Sequence, residues 1–600
     1  MAKPHEDLGK PLKQVRQRTK QSVTRPHGGT RNLCAAVAMA VLTGHAWAQP
    51  APRSSADQEQ RRAQERETQI REQQERGRDV RLPAPASLAP ARLPDGESPC
   101  FRINRIQLQS PAAKDLARFT WLTPALAGGA GDDEPVGKCL GARAMDVVLK
   151  RANDAVIAKG FVTSRVLIAP QDLSAGTLVL TVLPGRIHAI RFAEPVDPRA
   201  TAWNAVPAKP GDILNVRDIE QALENFQRVP TAQADFKIAP ASGDNAQPDQ
   251  NDVVINYRQG FPFRLSLSAD DSGTKGTGKY QGGVTLSYDN WWTLNDLFYA
   301  TFNHDMGGGE AGERGTHGGV VHYSLPWGYW TLGLTASKSR YFQTVAGLNG
   351  DIVYRGTSDN AEVKLSRLVY RDASRKTTIS FKGWQRKSSN FVDDTEILNQ
   401  RRAVGGWESG VGHKEFIGNA TLEGNLAYKR GTGAFGSQPA PEEPFGDGTS
   451  RFALVTADAN LSWPFKIADQ KLRYTGSWRW QQNRTPLTPQ DRFAIGGRYT
   501  VRGFDGESSL SAERGWLIRN EVSAALGGSG QEIYLGLDHG EVSGPSSELL
   551  VGKRLTGMVI GLRGSVKNLQ YELFAGAPVR KPEFYRTAST TVGFNLNYSF

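Results

Sequence analysis

The side chains that could do chemistry in this chain are few, and they do not form a catalytic set. The 600 residues include nine histidines and three cysteines, and neither type is spaced like the ligands of a metal site. The sequence contains no Gly-x-Ser-x-Gly elbow, no Gly-rich phosphate loop and no nucleophile–His–acid grouping. We therefore expect no catalytic residue, no metal and no cofactor. An enzyme, such as a lipase built on a barrel, is the least favoured class.

One charged residue stands out in the stretch YTVRGFDGES, residues 499–508. Arg502 lies between a valine and a glycine, in a half of the chain that otherwise alternates apolar and polar residues. A guanidinium offers a planar fork that can hold a carboxylate with two hydrogen bonds, and Gly503 permits a backbone bend beside it. Taken alone, Arg502 is more simply interpreted as a surface arginine next to a turn.

The N-terminal residues are typical of an export signal. Residues 1–31 contain eight basic and two acidic side chains, which accounts for half of the net charge of +12. The rest of the chain is too weakly basic to indicate nucleic-acid binding. An apolar run at 32–44 and the small-x-small pattern AWA at 46–48 follow, so we predict a signal peptide over 1–48. A transmembrane helix would need ~20 apolar residues, more than this run supplies.

Export places the two remaining cysteines, Cys100 and Cys139, in an oxidising compartment. We predict a disulfide between them, which would contribute about 4 kcal/mol through chain entropy; two free thiols are the alternative. No other stretch approaches the ~18 consecutive apolar residues of a membrane helix. The mature chain is therefore either soluble or a β-barrel.

A polar segment opens the mature chain. Residues 53–78 are almost all helix formers, with Glu67 and Arg71 at the favourable i,i+4 spacing. The segment has too few apolar residues to bury a face in a core, so it is either a charged linker or a helix in a water-filled space. We assign residues 49–80 to this polar helix and 81–98 to a proline-rich linker. At ~3.1 Å per residue, such a linker can cross a membrane.

Two units with globular periodicity follow, at 99–185 and 186–260. The first is predicted to contain strands around a helix at 142–159, which Gly160 ends. The second is predicted to contain a helix at 216–229 between strands. Both read as α+β scaffolds, and neither carries a catalytic or nucleotide-binding motif. We expect them to bind a partner.

From residue 261 to residue 600 the hydrophobic period is two. The final segment, TVGFNLNYSF, places apolar residues at alternate positions and ends in Phe600. An export signal, many alternating strands, aromatic strand ends and a terminal aromatic residue favour a lipid-facing barrel over a soluble β-sandwich. The span accommodates roughly 16 strands. The predicted fold class is mainly β, a 16-stranded transmembrane antiparallel barrel with an aqueous lumen, preceded by two α+β domains and a polar helix.

These features resemble the outer-membrane transporters of two-partner secretion, the family of haemolysin activators and filamentous-haemagglutinin transporters. The segments CFRI, GKCLG and KGFVTSRVLIAPQDLSAGTLVLTVLPG are similar to the family's first periplasmic POTRA domain, and LNVRDIEQALENFQRV resembles the helix of the second. SYDNWWTLNDLF and YSLPWGYW look like early barrel hairpins, and FAIGGRYTVRGFDG matches the signature of the long sixth loop. The resemblance covers nearly the whole mature chain.

The resemblance implies a role for Arg502. In the family, the sixth loop folds back into the barrel, and the arginine of its VRGF/Y tip pairs with an acidic residue on the inner wall. The partner motif is similar to GLDHG at 536–540, which makes Asp538 the candidate acid, while Gly503 and Phe504 complete the tip. We expect this pair to lie in a wet lumen and to contribute only ~1 kcal/mol. The polar helix is implied to plug the barrel, and Phe600 to be the C-terminal signal for barrel assembly.

The function implied is a pore in the bacterial outer membrane that exports one large exoprotein, with the POTRA domains in the periplasm recognising its N-terminal secretion domain. Outer-membrane lipid and the barrel-assembly machinery are the other expected partners, nucleic acid is not, and a monomer is expected. A haemolysin, a haemagglutinin or a contact-dependent toxin would each fit as cargo. The nearest alternative is a barrel insertase of the same superfamily, which commonly has more periplasmic repeats and no N-terminal helix. A passive porin would need no such repeats.

Overall fold

The computed structural model describes residues 52–75, 77–82, 92–129, 131–243, 247–348 and 350–600. The predicted signal peptide at 1–48 lies outside these residues. The first element is helix α1, Pro52–Gln74. It ends four residues before the end of the polar segment 53–78 in which a helix was considered. None of the helices in the described ranges is long and apolar enough to cross a membrane.

The first α+β unit is a small sheet packed on one helix. Its elements are β1 (Phe101–Arg102), β2 (Arg105–Gln109), α2 (Leu122–Ala125), β3 (Cys139–Leu140), α3 (Ala142–Ala158), β4 (Arg165–Leu167) and β5 (Thr177–Leu183). Strand β5 is central, parallel to β2 and antiparallel to β4. Helix α3 buries Val148, Ala152 and Val156 in the core of this unit. Gly160, with φ +97°, allows the chain to leave the helix.

The second unit repeats this plan with β6 (Arg186–Phe192), α4 (Val216–Gln227), β7 (Ala232–Pro240) and β8 (Gln250–Gln259). Its sheet order is β6-β8-β7, and β8 runs parallel to β6. Asn215 caps α4 by accepting a hydrogen bond from the Arg217 amide at 2.9 Å. Ile219, Leu223 and Phe226 of α4 are buried against the sheet.

The remaining chain forms a closed barrel of 16 antiparallel strands, which confirms the predicted fold class. The strands in chain order, including the two-residue β16 and the loop strands β21 and β22, are β9 (Phe263–Asp270), β10 (Gln281–Asp289), β11 (Leu297–Asp305), β12 (Arg314–Trp327), β13 (Trp330–Ala346), β14 (Asp351–Arg371), β15 (Arg375–Val392), β16 (Thr395–Glu396), β17 (Arg402–Ile417), β18 (Ala420–Thr432), β19 (Ala453–Ile467), β20 (Gln470–Asn483), β21 (Phe493–Ile495), β22 (Leu510–Ala512), β23 (Arg514–Ala525), β24 (Glu532–Ser543), β25 (Arg554–Val566), β26 (Leu569–Arg580) and β27 (Thr591–Ser599).

The two faces of the barrel wall differ as the alternation predicts. On β10, Val284 and Leu286 are exposed on the outside, whereas Thr285 and Ser287 are buried inside. Strand β27 closes the barrel against β9 through five paired residues, from Asn595 opposite Asp270 onwards. Apolar residues on the outside and polar residues inside are the pattern of a membrane barrel.

Candidate functional site

The connection between β20 and β23, residues 484–513, folds back into the barrel. Within it, β21 pairs antiparallel with β22 to form a short hairpin. Residues 496–509 between these strands carry the tip that contains Arg502. The loop is therefore an ordered structure of its own inside the wall, so the position of its tip is defined.

Arg502 at the loop tip contacts Asp538 on β24. Its Nε lies 2.8 Å from Oδ2 of Asp538 and its Nη2 lies 3.0 Å from Oδ1, while the backbone amide of Arg502 donates to Oδ2 at 3.0 Å. Asp538 is fully buried, and Arg502 is 7% exposed. The expectation of a pair in a wet lumen is therefore wrong, because the loop covers the carboxylate and excludes water from it. Breaking one partner of such a buried pair costs several times the ~1 kcal/mol of an exposed pair.

Arg502 has a second acidic partner that the sequence did not indicate. Glu521 on β23 accepts from Nη1 of Arg502 at 2.6 Å, and its other oxygen lies 2.7 Å from Nη1 of Arg563 on β25. Glu521 lies opposite Gly536 in the strand register, two residues from Asp538. The sequence did place an inward-facing glutamate on the strand next to GLDHG. Its pairing with Arg502 could not be predicted from that alone, because it depends on the register of the two strands.

Glycines on three neighbouring strands make room for the loop tip. A Cβ added to Gly536 would lie 2.6 Å from Nη2 of Arg502, and one added to Gly557 would lie only 1.9 Å from the carbonyl oxygen of Arg502. A Cβ added to Gly576 would lie 2.9 Å from Cα of Gly503. Gly503 itself has φ +93° and approaches the carbonyl oxygen of Ala577. The wall is thus shaped for backbone contact with the loop.

The rest of the loop is held by apolar packing and by further ion pairs. Phe504 is buried, and its ring lies edge-on to Tyr585 at 5.7 Å. Arg498 donates to Asp271 and to the carbonyl of Phe594, both at 2.8 Å, at the junction where β9 and β27 meet. The loop therefore contacts several parts of the wall and not only Asp538.

Helix α1 lies inside the barrel, and its first half contacts the loop. Gln58 donates to the carbonyl oxygen of Gly506 at 2.7 Å, and Arg62 donates to the same oxygen. Arg61 donates to the carbonyl of Pro489 at 3.0 Å. Helix and loop therefore share contacts, and displacement of one removes hydrogen bonds from the other.

The second half of α1 contacts the inner wall nearer the second α+β unit. Three of its side chains, and Glu75 directly after the helix, make polar contacts of 2.7–3.2 Å with five strands: Glu67 with Ser337, Arg71 with Glu362, Gln74 with Arg264 and Ser287, and Glu75 with His322. The amide of Gln60 is buried without a protein partner among the described residues. The helix is thus held by polar contacts that water can replace, as suits a removable plug.

The segment after α1 and the second α+β unit are fastened to the barrel mouth. Arg371, at the end of β14, donates to Glu220 at 3.1 Å, to Glu224 at 3.0 Å and to the carbonyl of Val80 at 2.7 Å. The amides of Val80 and Leu82 donate to the same two glutamates. The outer face of α4 is therefore covered by the barrel and by the segment that follows α1.

The other predicted site residues lie away from the loop. Cys100 and Cys139 form a disulfide with Cα atoms 5.3 Å apart. Phe600 ends the chain beside β9, where its amide donates to the carbonyl of Leu265 at 2.9 Å and its ring lies 4.7 Å from that of Tyr598. Across the described ranges, no group of three or more His, Cys, Asp or Glu side chains is placed to hold a metal ion.

Comparison with known proteins gives consistent matches along the chain. Residues 249–564 match the family described as haemolysin secretion/activation protein ShlB/FhaC/HecB. Residues 101–185 match a ShlB-type POTRA domain, and residues 186–240 match a POTRA domain. The two α+β units thus correspond to the two POTRA domains expected from the sequence.

Relatives match the chain over nearly its whole length. The chain is 37% identical to the outer membrane transporter CdiB-2 of Burkholderia pseudomallei (strain 1026b), over 94% of this chain and 98% of the relative. It is 27% identical to the outer membrane transporter CdiB of Dickeya dadantii (strain 3937), over 92% and 95%. The solved structure of CdiB from Acinetobacter baumannii is similar with a TM-score of 0.79 at 30% identity, covering 91% of this chain and 98% of that one.

Proposed function

Because the chain belongs to the ShlB/FhaC/HecB family of haemolysin secretion/activation proteins, we infer that it is an outer-membrane transporter that exports a large partner exoprotein in two-partner secretion. The barrel lies in the outer membrane and the two POTRA domains in the periplasm. We propose the domain limits 49–80 for the plug helix, 81–98 for the linker, 99–185 and 186–260 for the POTRA domains, and 261–600 for the barrel.

The observation that carries this proposal is a wide barrel whose lumen is filled by a polar helix and a folded-back loop. A 16-stranded barrel encloses an aqueous channel, and here α1 and the loop 484–513 occupy that channel. Helix α1 lies mainly against polar wall residues such as Ser337 and Glu362, with a small apolar contact of Ala56 with Tyr341 and Tyr354. We propose that α1 withdraws when the exoprotein arrives, and that the unfolded exoprotein then passes along the polar wall.

We propose that Arg502, Gly503 and Phe504 keep the loop anchored while α1 moves. The pair between Arg502 and Asp538 is independent of α1, since both partners belong to the barrel and its loop. An anchored loop would leave a channel of constant shape beside it. No catalytic step is part of this proposal, and folding of the exoprotein outside the cell would supply the free energy of export.

We propose that the exoprotein's secretion domain docks on free strand edges of the POTRA domains by β-augmentation. The outer face of α4 is already covered by Arg371 and the Val80 segment. Among the described strands, β7 pairs only with β8 and offers a nine-residue edge. The edge strands β2 and β4 of the first domain are shorter.

The remaining parts of the proposal concern biogenesis and assembly. We propose that the protein works as a monomer and that the barrel-assembly machinery reads Phe600. A haemolysin, a haemagglutinin and a contact-dependent toxin remain the three cargo classes. The gene beside this one should encode the cargo, a very large exported protein with an N-terminal secretion domain.

The experiment that tests this function is export of that neighbouring exoprotein in a host without either gene. Expressed together with the chain, the exoprotein should reach the cell surface; expressed alone, it should stay in the periplasm and be degraded. Surface appearance without the chain, or periplasmic retention with it, would refute the proposal. Heat-modifiable migration of the chain in outer-membrane fractions is the control for correct insertion.

A further inference from the structure

A tryptophan of the second POTRA domain is largely exposed at the barrel mouth. Trp203 lies in the segment between β6 and α4, and 67% of its surface is exposed. Within the described part of the chain, its indole makes no hydrogen bond and no ring contact. Exposing a large aromatic side chain to water is unfavourable, so Trp203 is expected to contact something outside the chain.

The segment that carries Trp203 is fastened to the barrel on both sides. Asn204 donates from Nδ2 to the carbonyl oxygens of Leu294 at 2.5 Å and Pro326 at 3.1 Å, and its own carbonyl accepts from the Gly328 amide at 2.7 Å. Asn295 donates to the carbonyl of Thr201 at 2.9 Å. These partners belong to the turn 290–296, which follows β10, and to residues 326–329, where β12 ends. Trp203 is therefore held at a fixed position beside the periplasmic rim of the barrel.

The segment lies on the outside of the barrel wall. Arg199 donates to the hydroxyl of Tyr288 at 3.1 Å, and its guanidinium carbon lies 5.6 Å from the ring of that tyrosine. Tyr288 belongs to the outward face of β10, together with the exposed Val284 and Leu286. A POTRA segment that contacts this tyrosine lies outside the lumen, at the edge of the lipid-facing surface of the barrel.

The barrel surface next to Trp203 carries exposed aromatic side chains. Trp291 and Trp292 follow β10, and both backbone amides donate to the buried carboxylate of Asp296 at 3.1 Å, which fixes the turn that presents them. Trp292 is 63% exposed and Trp327 is 67% exposed. Tryptophan is enriched at the interface between lipid and water, where its ring is buried and its N–H stays hydrated. These residues mark the level of the lipid headgroups.

We propose that Trp203 anchors the second POTRA domain to the outer membrane by inserting its indole among the phospholipid headgroups of the periplasmic leaflet. The inference rests on the proposed outer-membrane function and adds a lipid contact outside the barrel. Its grounds are that the Trp203 segment continues the aromatic rim of the barrel and is hydrogen-bonded to the turns that form it. The anchor would fix the direction in which the free β7 edge meets the exoprotein.

Fluorescence of the full chain reconstituted in phosphatidylcholine vesicles tests this anchor. The emission of Trp203 is obtained by subtracting the emission of Trp203→Phe from that of the wild type. The same subtraction with Trp463→Phe and Trp121→Phe gives the emission of two reference tryptophans. Trp463 is a half-exposed residue of the outer barrel wall, and Trp121 lies in the first POTRA domain. Vesicles with and without bromine on the acyl chains are compared, because bromine quenches only indoles that reach the lipid.

We expect the brominated lipid to quench Trp203 by as large a fraction as Trp463, and to leave Trp121 unquenched. A Trp203 contribution as insensitive as that of Trp121 would overturn the anchor. So would emission from Trp203 that is unquenched by lipid and shifts when the secretion domain of the exoprotein is added, since that result assigns the surface to the cargo. An unquenched Trp463 would contradict the membrane barrel itself, and the inference would fall with the proposed function.

Discussion

Arg502 and Asp538 form a two-pronged ion pair, with Nε 2.8 Å from Oδ2 and Nη2 3.0 Å from Oδ1, and the aspartate is inaccessible to solvent. The pair joins an extracellular loop to the inner wall of the barrel. Two parallel hydrogen bonds fix the direction of the guanidinium as well as its distance. The loop tip is therefore held at one position, and each change to this pair should release it.

Arg502→Ala should lower secretion severalfold while the barrel stays inserted, because Asp538 is left buried with only Arg519, at 3.8 Å, beside it. Breaking such a pair costs about 3–5 kcal/mol, which here would favour displacement of the loop. Secretion of the exoprotein and heat-modifiable migration are measured together. Arg554→Ala is the matched control, since the pair of Arg554 with Glu541 is partly exposed to solvent and should contribute less than a buried pair.

The double variant Arg502→Ala/Asp538→Ala separates pairing from general damage. Removal of both partners leaves no unpaired charge at Asp538, so the double variant should be no worse than Arg502→Ala alone. Strictly additive losses in secretion would show that the two residues act independently and would contradict the proposed role of the pair.

Gly557→Ala should displace the loop without removing any polar group. The added methyl would lie 1.9 Å from the carbonyl oxygen of Arg502, so loop or strand must shift. We expect a loss of secretion comparable to that of Arg502→Ala. Gly383→Ala on β15 is the control, because a Cβ there meets nothing within 4 Å. Wild-type secretion by Gly557→Ala would show that the loop position is not critical.

Removal of α1 should open the channel. Deletion of residues 52–74 should raise the conductance of single channels in planar bilayers severalfold over the full chain. Gln74→Ala should increase the frequency of opening, because Gln74 accepts hydrogen bonds from Arg264 and Ser287. Thr68→Ala is the control, since among the described residues Thr68 bonds only to the helix's own Gln64 carbonyl. Equal conductance with and without α1 would rule out a plug.

The first POTRA domain should lose stability in acid through Asp133. Burial opposes ionisation of this carboxyl group, but hydrogen bonds from Lys138, Arg151 and the Leu93 amide hold its pKa well below 3.8. A lowered pKa in the folded state stabilises the domain above the unfolded pKa, and this stabilisation is lost as the pH falls further. At neutral pH, Asp133→Asn should therefore cost about 2–4 kcal/mol in the free energy of unfolding.

Hydrogen exchange of α3 in the full chain measures this cost. The difference between wild type and Asp133→Asn should stay nearly constant from pH 6 to about 4 and shrink as the pH is lowered below 3.8. Asp132→Asn is the matched control, because the neighbouring Asp132 pairs with Arg92 at an exposed position and should be nearly neutral. A difference that stays constant with pH would exclude ionisation of Asp133 as its cause.

The sequence predicted the barrel because alternation over many strands is a long and redundant signal, and it indicated Arg502 and Asp538 through short motifs. It did not indicate Glu521, whose role depends on its register opposite Gly536. The burial of Arg502 depends on glycines on three consecutive strands, whose alignment beside the loop is known only once the strand register is known. The covered face of α4 was equally hidden, because Glu220 and Glu224 look like solvent-exposed helix residues until Arg371 is placed beside them.

The most direct test of the transport path is site-specific photocrosslinking with an exoprotein stalled during export. A photoreactive residue at Ser337 faces the lumen, where Glu67 of α1 now contacts it, and one at Leu334 faces outward on the same strand. At rest, position 337 should crosslink to α1; with the stalled exoprotein, it should crosslink to the exoprotein, while position 334 captures neither. Exoprotein crosslinks at 334 and none at 337 would contradict passage through the barrel.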